Sequence, residues 1–517
     1  MSTGHPDDVL SFYIKGLVDS PAEAADLGGD CCADLEERVA ELEATTVRKG
    51  NKKVSVTLSG WVTKRGSWWD DGHEENFYMG DRDNTLSSHF NISGSAQIAP
   101  GWSGGYTMQV EVPGTSATVG FCENQLNDNC VLFGSTNTLL SYMWIKSDKY
   151  GTLNWGQSRQ ATDNLLVLRD LPGTAIESNA VLYDGVGMLI RPKGVKNSND
   201  LASDFTWFSV MTCLAGGGGI GADCNGYPNN NVRYDSPTFA GFSVSSSYGE
   251  DDMWDVALKY DLNGEIWKAQ AAAAWTSQTD EGCSAPGKGG CTNVGFLGGG
   301  GTPNQGYRKD SGIFQVGGSI MHAPTGLFFY GLYQHEDNDG TQWKSFNFKT
   351  GKVVNNDVNE NDVFYTKFGI RKAFTPVGAT VIFGEWARYE DMYQGICGLP
   401  GGDNPGSAGN TFCEAYIPTG VVTSGSSKGA ALVTDSLVTG SEVTRYGVGV
   451  VQEIDSAAMH LFARWQHLDL DLDGVNLGTT CVGSSSGPCY GNGKYGKSLH
   501  TSWEGLDIFQ LGGVIFF

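Results

Sequence analysis

From Val54 onward the chain alternates apolar and polar residues with a period of two, and this restricts its possible folds more than any other feature. Val54, Val56, Leu58 and Val62 alternate with Ser55, Thr57, Ser59 and Trp61, and Phe90, Ile92, Ala96 and Ile98 alternate with Asn91, Ser93, Ser95 and Gln97. Such segments are strands with one apolar and one polar face. The pattern recurs to the last residue and predicts about 18 strands, the weaker ones at 152–158, 186–193, 205–211 and 231–234. Tight turns at 99–102, 148–151, 236–241, 263–265, 323–326, 375–378 and 455–458 take every second connection, and the connections between them are mostly long. No linker rich in Pro, Ser or charge divides the 517 residues. The expected fold class is therefore all-β, a single antiparallel barrel of 16 to 18 strands.

Charge and hydropathy narrow the setting. With 34 Lys plus Arg against 58 Asp plus Glu, the net charge of -24 offers no basic patch to displace counterions from phosphates, so nucleic acid is not an expected partner. No apolar run approaches the roughly 18 to 20 residues of a spanning helix, which leaves a soluble protein or a transmembrane barrel. Short turns at one end and long loops at the other are the asymmetry of outer-membrane barrels. An even strand number places both termini on the short-turn side, which in such a barrel is the periplasmic side.

Ten of the twelve cysteines fall into local pairs in loop-like segments: Cys122 with Cys130, Cys213 with Cys224, Cys283 with Cys291, Cys397 with Cys413, and Cys481 with Cys489. Short spans of this kind are expected to be disulfides made in an oxidising compartment. Zinc is disfavoured, because no CxxC occurs and histidines do not accompany the cysteines at ligand spacing. All five pairs fall on the long-loop side. Residues 1–33 carry no recognisable export signal and are expected to be disordered or to precede the true start. Residues 34–50 hold about two heptads (Leu35, Val39, Leu42, Thr46), a helix too short to stand alone and suited to self-association.

The segments DLEERVAELEATTVRKGNKKVSVTLSGWV, GQSRQATD (156–163), VRYDSPTFAGFSVSSSYGEDDMWDVALKY (232–260) and the terminal GGVIFF resemble the alphaproteobacterial members of the outer-membrane general porins. The likeness extends over residues 34–517. It implies a trimer of water-filled barrels (51–517 here) in outer-membrane lipid and lipopolysaccharide, passing small hydrophilic solutes without a cofactor. It also implies that the loop at about 159–183 folds into the lumen and constricts it, with Asp163, Asp170 and Glu177 as its acidic residues.

Charges within strands should face the lumen, because Arg or Lys toward lipid costs about 2–4 kcal/mol at mid-membrane. Strand parity sets Lys259, Lys268, Arg371, Arg445 and Arg464 opposite apolar neighbours such as Trp254, Trp267, Phe368, Tyr446 and Trp465. Together they form an expected basic wall, which would face the acidic loop across a transverse field. Acidic residues at the mouth, among them Asp70, Asp71, Glu74, Glu75, Asp251, Asp252 and Asp473, should favour cations.

Several motif matches lack the structural setting their chemistry needs. Gly491, Gly496, Lys497 and Ser498 satisfy the P-loop pattern without a following helix, and Gly483, Ser485 and Gly487 the nucleophile elbow without a strand-to-helix turn. Asp469, Asp471 and Asp473 open like a calcium loop, but the twelfth position is Thr480 where a bidentate Glu is needed. No nucleophile, base and orienting group stand at credible spacing, so catalysis is not expected. The rival reading is a secreted β-protein that binds glycans on aromatic platforms.

Overall fold

The computed structural model describes residues 54–81, 88–112, 125, 137–181, 185, 187–191, 193, 206–211, 213, 224, 228–279, 310–339, 343–347, 352–356, 360–392, 414–421, 431–482, 489–491 and 498–517. The heptad segment, together with Cys31 and Cys32, lies outside these residues. So do three of the five expected disulfides, the one between Cys122 and Cys130, the one between Cys283 and Cys291, and the one between Cys397 and Cys413.

Sixteen antiparallel strands close into a barrel. In chain order they are β1 (Ser55–Asp70), β2 (His89–Ala99), β3 (Trp102–Glu111), β4 (Asn137–Ser147), β5 (Gly151–Ser158), β6 (Asn229–Asp235), β7 (Phe242–Gly249) and β8 (Trp254–Asn263). The second half comprises β9 (Trp267–Thr279), β10 (Asp310–His322), β11 (Leu327–Asp339), β12 (Glu360–Thr375), β13 (Gly378–Glu390), β14 (Ala431–Ile454), β15 (Met459–Val482) and β16 (Leu506–Phe516). Each strand pairs with its sequence neighbour, and β16 returns to β1 with Trp61 opposite Phe516 and Asp70 opposite Asp507. Gly60 and Phe517 exchange backbone hydrogen bonds at the short-turn end, so both ends of the barrel sequence meet there.

Closure removes the edges that an open sheet of this size would present. Its outer surface is apolar: Leu58, Val62, Trp254, Val256, Leu258, Phe368, Ile382, Val448 and Ile515 are all exposed. The residues between them point inward and are mostly polar, as the alternation predicts. Short strands decorate the long-loop end, Glu75–Gly80 on β1, Glu414–Val421 on β14, and Cys489–Gly491 and Ser498–Ser502 on β15. Strands β14 and β15 run 24 residues each, well beyond the roughly 9 to 11 that cross a bilayer, and so project past it. Along β15, Asp469, Asp471 and Asp473 are exposed while Leu468, Leu470 and Leu472 point inward.

Two of the 18 expected strands are absent from the barrel. Segments 186–193 and 205–211 belong instead to the connection between β5 and β6, where Leu189 and Thr206 form one isolated bridge. Their apolar residues Ile190, Trp207, Val210 and Met211 are fully buried against one another and against the barrel's inner face. Alternation alone does not distinguish an apolar residue facing lipid from one facing a core inside the lumen.

The turn between β10 and β11 needs glycine at one position. Gly326 takes φ +76°, donates its N–H to the His322 carbonyl, and a Cβ there would strike the Arg371 carbonyl oxygen. We expect Gly326→Val to lose at least about 1–2 kcal/mol, the left-handed penalty alone, seen as a lower urea midpoint for the detergent-folded barrel. An unchanged midpoint would show that the turn adapts.

Candidate functional site

The connection between β5 and β6 enters the lumen after Ser158; just before it, Gly156, at φ +123°, lies so close to Ser141 and Tyr142 of β4 that a side chain would collide. From there residues 159–181 follow the inner wall strand by strand. Thr162 donates its N–H and its hydroxyl to Asp255 Oδ2 of β8, both at 2.8 Å, and its hydroxyl also meets Thr276 of β9 at 2.8 Å. Ala161 N–H reaches Ser247 of β7. Ser319 of β10 donates to the Arg169 carbonyl at 2.6 Å, and Tyr330 of β11 to the Leu166 carbonyl at 2.8 Å.

The contacts continue on the next four strands. Lys367 Nζ of β12 lies 2.7 Å from Asp170 Oδ1 and donates to Thr174 Oγ1 and the Ser178 carbonyl. Tyr389 of β13 donates to the Ala180 carbonyl. Arg445 of β14 donates to the Asn179 carbonyl and sits 3.6 Å from Glu385. Arg464 of β15 donates to the Glu177 carbonyl, and His460 Nδ1 lies 3.3 Å from Glu177 Oε1. Backbone carbonyls inside a protein need donors, and here the wall supplies one after another.

Of the acidic residues singled out from sequence, the structure joins Asp170 to Lys367, and the Glu177 carbonyl to Arg464. Asp163 is held by Arg159 at 3.1 Å, with Arg233 nearby. Burial pushes its carboxyl above the ordinary range, while the Arg159 and Arg233 guanidiniums pull it back. Lys259 pairs with Asp235 at 3.5 Å, and Arg371 makes a two-pronged pair with Glu453 of β14 at 3.0 and 2.7 Å. Lys268 is the second residue of β9, next to the tight turn. The Asp170 carboxylate and the Lys367 ammonium thus touch, and Arg464 holds the Glu177 backbone carbonyl while His460 meets its carboxylate, where the sequence suggested charges facing each other across open water.

The sequence reading missed Arg65, Glu385, Gln510 and the tyrosines 330, 365 and 389. Arg464 Nε donates to Gln510 Oε1 at 2.6 Å, Gln510 to Ser67 Oγ at 2.8 Å, and Arg65 to the same hydroxyl at 2.5 Å. This polar chain carries the site from β15 through β16 to β1. Parity would have found Arg65, since it alternates with the exposed Val62 and Trp68.

Of the five cysteine pairs expected on the long-loop side, the structure describes two. Cys213 and Cys224 are joined as a disulfide. Cys481 and Cys489 are register partners across β15 and the short strand Cys489–Gly491. The pairings of Cys122 with Cys130, Cys283 with Cys291 and Cys397 with Cys413 fall outside the described residues and stay expectations from sequence. Among the described residues, one group of metal-type donors comes together, Cys213, Cys224 and Glu336, and the disulfide already occupies both of its sulfurs.

Residues 21–459 match the Gram-negative porin family. An anion-selective porin from Comamonas acidovorans aligns over 90% of this chain and 100% of its own at 14% identity and TM-score 0.47. OmpF of Salmonella typhi, in complex with daunomycin, aligns over 91% of this chain and 100% of its own at 10% identity and TM-score 0.43. The trimer form of OmpT, an outer membrane protein of Vibrio cholerae, aligns over 90% and 100% at 10% identity and TM-score 0.43. No curated protein matches. An apolar outer surface around a closed barrel does not suit a secreted glycan binder. The family match is broader than the alphaproteobacterial branch that the quoted segments resemble, and within that breadth the chain belongs to the Gram-negative porins and forms a channel through the outer membrane.

Proposed function

We propose that the channel passes small hydrophilic solutes and ions passively, that segment 159–181 is its constriction, and that three copies assemble with both termini on the periplasmic side. The observation that carries this reading is the run of contacts from β7 to β15, which holds a chain segment across a lumen that water would otherwise fill. Asp163, Asp170 and Glu177 supply its acidic residues, and Lys259, Lys268, Arg371, Arg445 and Arg464 give the surrounding wall its positive charge. Fixed charges in a narrow, low-dielectric passage select by sign as well as by size. Passage needs no covalent step, so the proposed role includes no catalysis.

Acidic residues at the mouth favour cations most when screening is weak, with a reach of roughly 10 Å at 0.1 M salt. We expect mild cation selectivity that fades as salt rises, and a stronger preference when Arg445→Gln and Arg464→Gln are combined. Reversal potentials across a salt gradient in a planar bilayer test this. A clearly anion-selective parent, or a double variant with unchanged reversal potential, would remove these residues from the constriction.

A further inference from the structure

We infer that Arg191, seated on Asp71 and backed by Gln125, is a positioning residue that fastens the second end of the inward segment and so sets the size limit at the long-loop mouth. The outgoing limb, 159–181, is tied to β7 through β15. The returning limb, Met188 to Arg191 with Thr206 to Met211, is fastened to a different sector. Arg191 Nε donates to Asp71 Oδ2 at 2.8 Å; its Nη2 lies 2.8 Å from the same oxygen and 3.5 Å from Glu74 Oε2. Gln125 makes a two-way clasp on Leu189, donating to its carbonyl at 2.8 Å and accepting its N–H at 2.9 Å, and it also donates to Asp71 Oδ2 at 2.9 Å. Glu504 donates its N–H to the Arg191 carbonyl at 2.9 Å.

These partners come from three places: the turn just after β1, the connection after β3, and the residues just before β16. Strands β16, β1, β2 and β3 are contiguous in the barrel. The inward segment is therefore fastened along two adjoining wall sectors, β7 through β15 by its outgoing limb and β16 through β3 by the polar contacts of its returning limb.

Burial explains why this fastening holds. Arg191 is 2% exposed and Asp71 3%. The second Asp71 oxygen accepts the N–H groups of His73 and Glu74 at 3.0 and 2.8 Å, so both oxygens are engaged. Asp71 is thus a buried anchor, not the exposed mouth charge expected from sequence. A guanidinium holding a buried carboxylate loses far more when one partner is removed than an exposed pair does. Without the Arg191 guanidinium the limb keeps the Gln125 clasp on Leu189, the Glu504 hydrogen bond to the 191 carbonyl and the apolar packing of Ile190, Trp207, Val210 and Met211, and loses its charged tie to the wall at Asp71.

The test is liposome swelling with saccharides of increasing size, read beside single-channel conductance of full-length protein. Arg191→Gln should raise conductance and admit a larger saccharide than the parent does, while Arg191→Lys, which keeps the cation, should hold the parent's limit. Gln125→Ala should shift the limit in the same direction by less, and it decides the matter if Arg191→Gln does not fold. A purely structural role would lower the unfolding midpoint and leave the size limit of the folded channels unchanged. Unchanged conductance and size limit in Gln125→Ala, and in any folded Arg191→Gln, would overturn the proposal. The constriction reading fails on the reversal potentials of the 445/464 variant instead, so the two failures are distinguishable.

Discussion

Replacing Lys367 with Met is expected to produce a channel that still assembles but carries a noisier and larger current than the parent. Lys367 and Asp170 are almost completely buried together, their side chains 1% and 3% exposed. Removing one partner of such a pair costs about 3–5 kcal/mol, because the remaining charge is left without compensation. The same ammonium also donates to Thr174 and Ser178, so its loss releases the inward segment at three of its residues from one position on β12. Met keeps an unbranched side chain of similar length, so the change is confined to the ammonium, with its hydrogen bonds and its position over the rings of Tyr330 and Phe383. Adding Asp170→Asn should restore part of the quiet, narrow behaviour by removing the orphaned carboxylate. Current noise and conductance in planar bilayers decide the outcome. A K367M channel as quiet and narrow as the parent would mean that the contacts on the other strands hold the segment without Lys367.

That expectation depends on Lys367 facing inward, and this much was legible in the sequence. Lys367 alternates with Phe364, Phe368 and Ile370, and the penalty for a charge in lipid leaves one face for it. The same rule placed Lys259, Arg445 and Arg464. Parity does not reveal what an inward side chain meets. Arg445 could have lined open water; besides Glu385 of the neighbouring β13 it meets Asn179, because residues 159–181 of the connection lie inside the barrel. The apolar runs at 186–193 and 205–211 looked like strands for a related reason. A core formed inside a barrel requires the same residue types as the barrel's lipid face. Asp71 shows the limit most clearly. Its neighbours in sequence, Asp70, Glu74 and Glu75, suggest an exposed acidic turn, whereas its true partner is an arginine 120 residues later. Nothing local in the sequence encodes a pairing at that distance.

The neighbour of Lys367 supplies the converse expectation, that Phe368→Arg prevents most of the protein from reaching the folded barrel. Phe368 is 60% exposed on the apolar surface, at the ninth of the sixteen residues of β12. Strands cross the bilayer in about 9–11 residues, so this position is close to the midplane, where Arg costs about 2–4 kcal/mol. Phe374 has the same parity and a similar exposure, 57%, but stands one residue before the strand ends at the tight turn. There an arginine can place its guanidinium in the headgroup region, and the expected cost falls to about 0–1 kcal/mol. The two substitutions exchange the same residue types at exposed positions of one strand, one in its regular stretch and one beside the turn, where the register with β13 shifts between Lys372 and Thr375. Urea unfolding in phospholipid vesicles separates them. A large loss for Phe368→Arg beside a small one for Phe374→Arg fixes β12 across the membrane with its tight turn at one surface. Equal losses, or none at either site, would mean that this face of the barrel does not meet hydrocarbon.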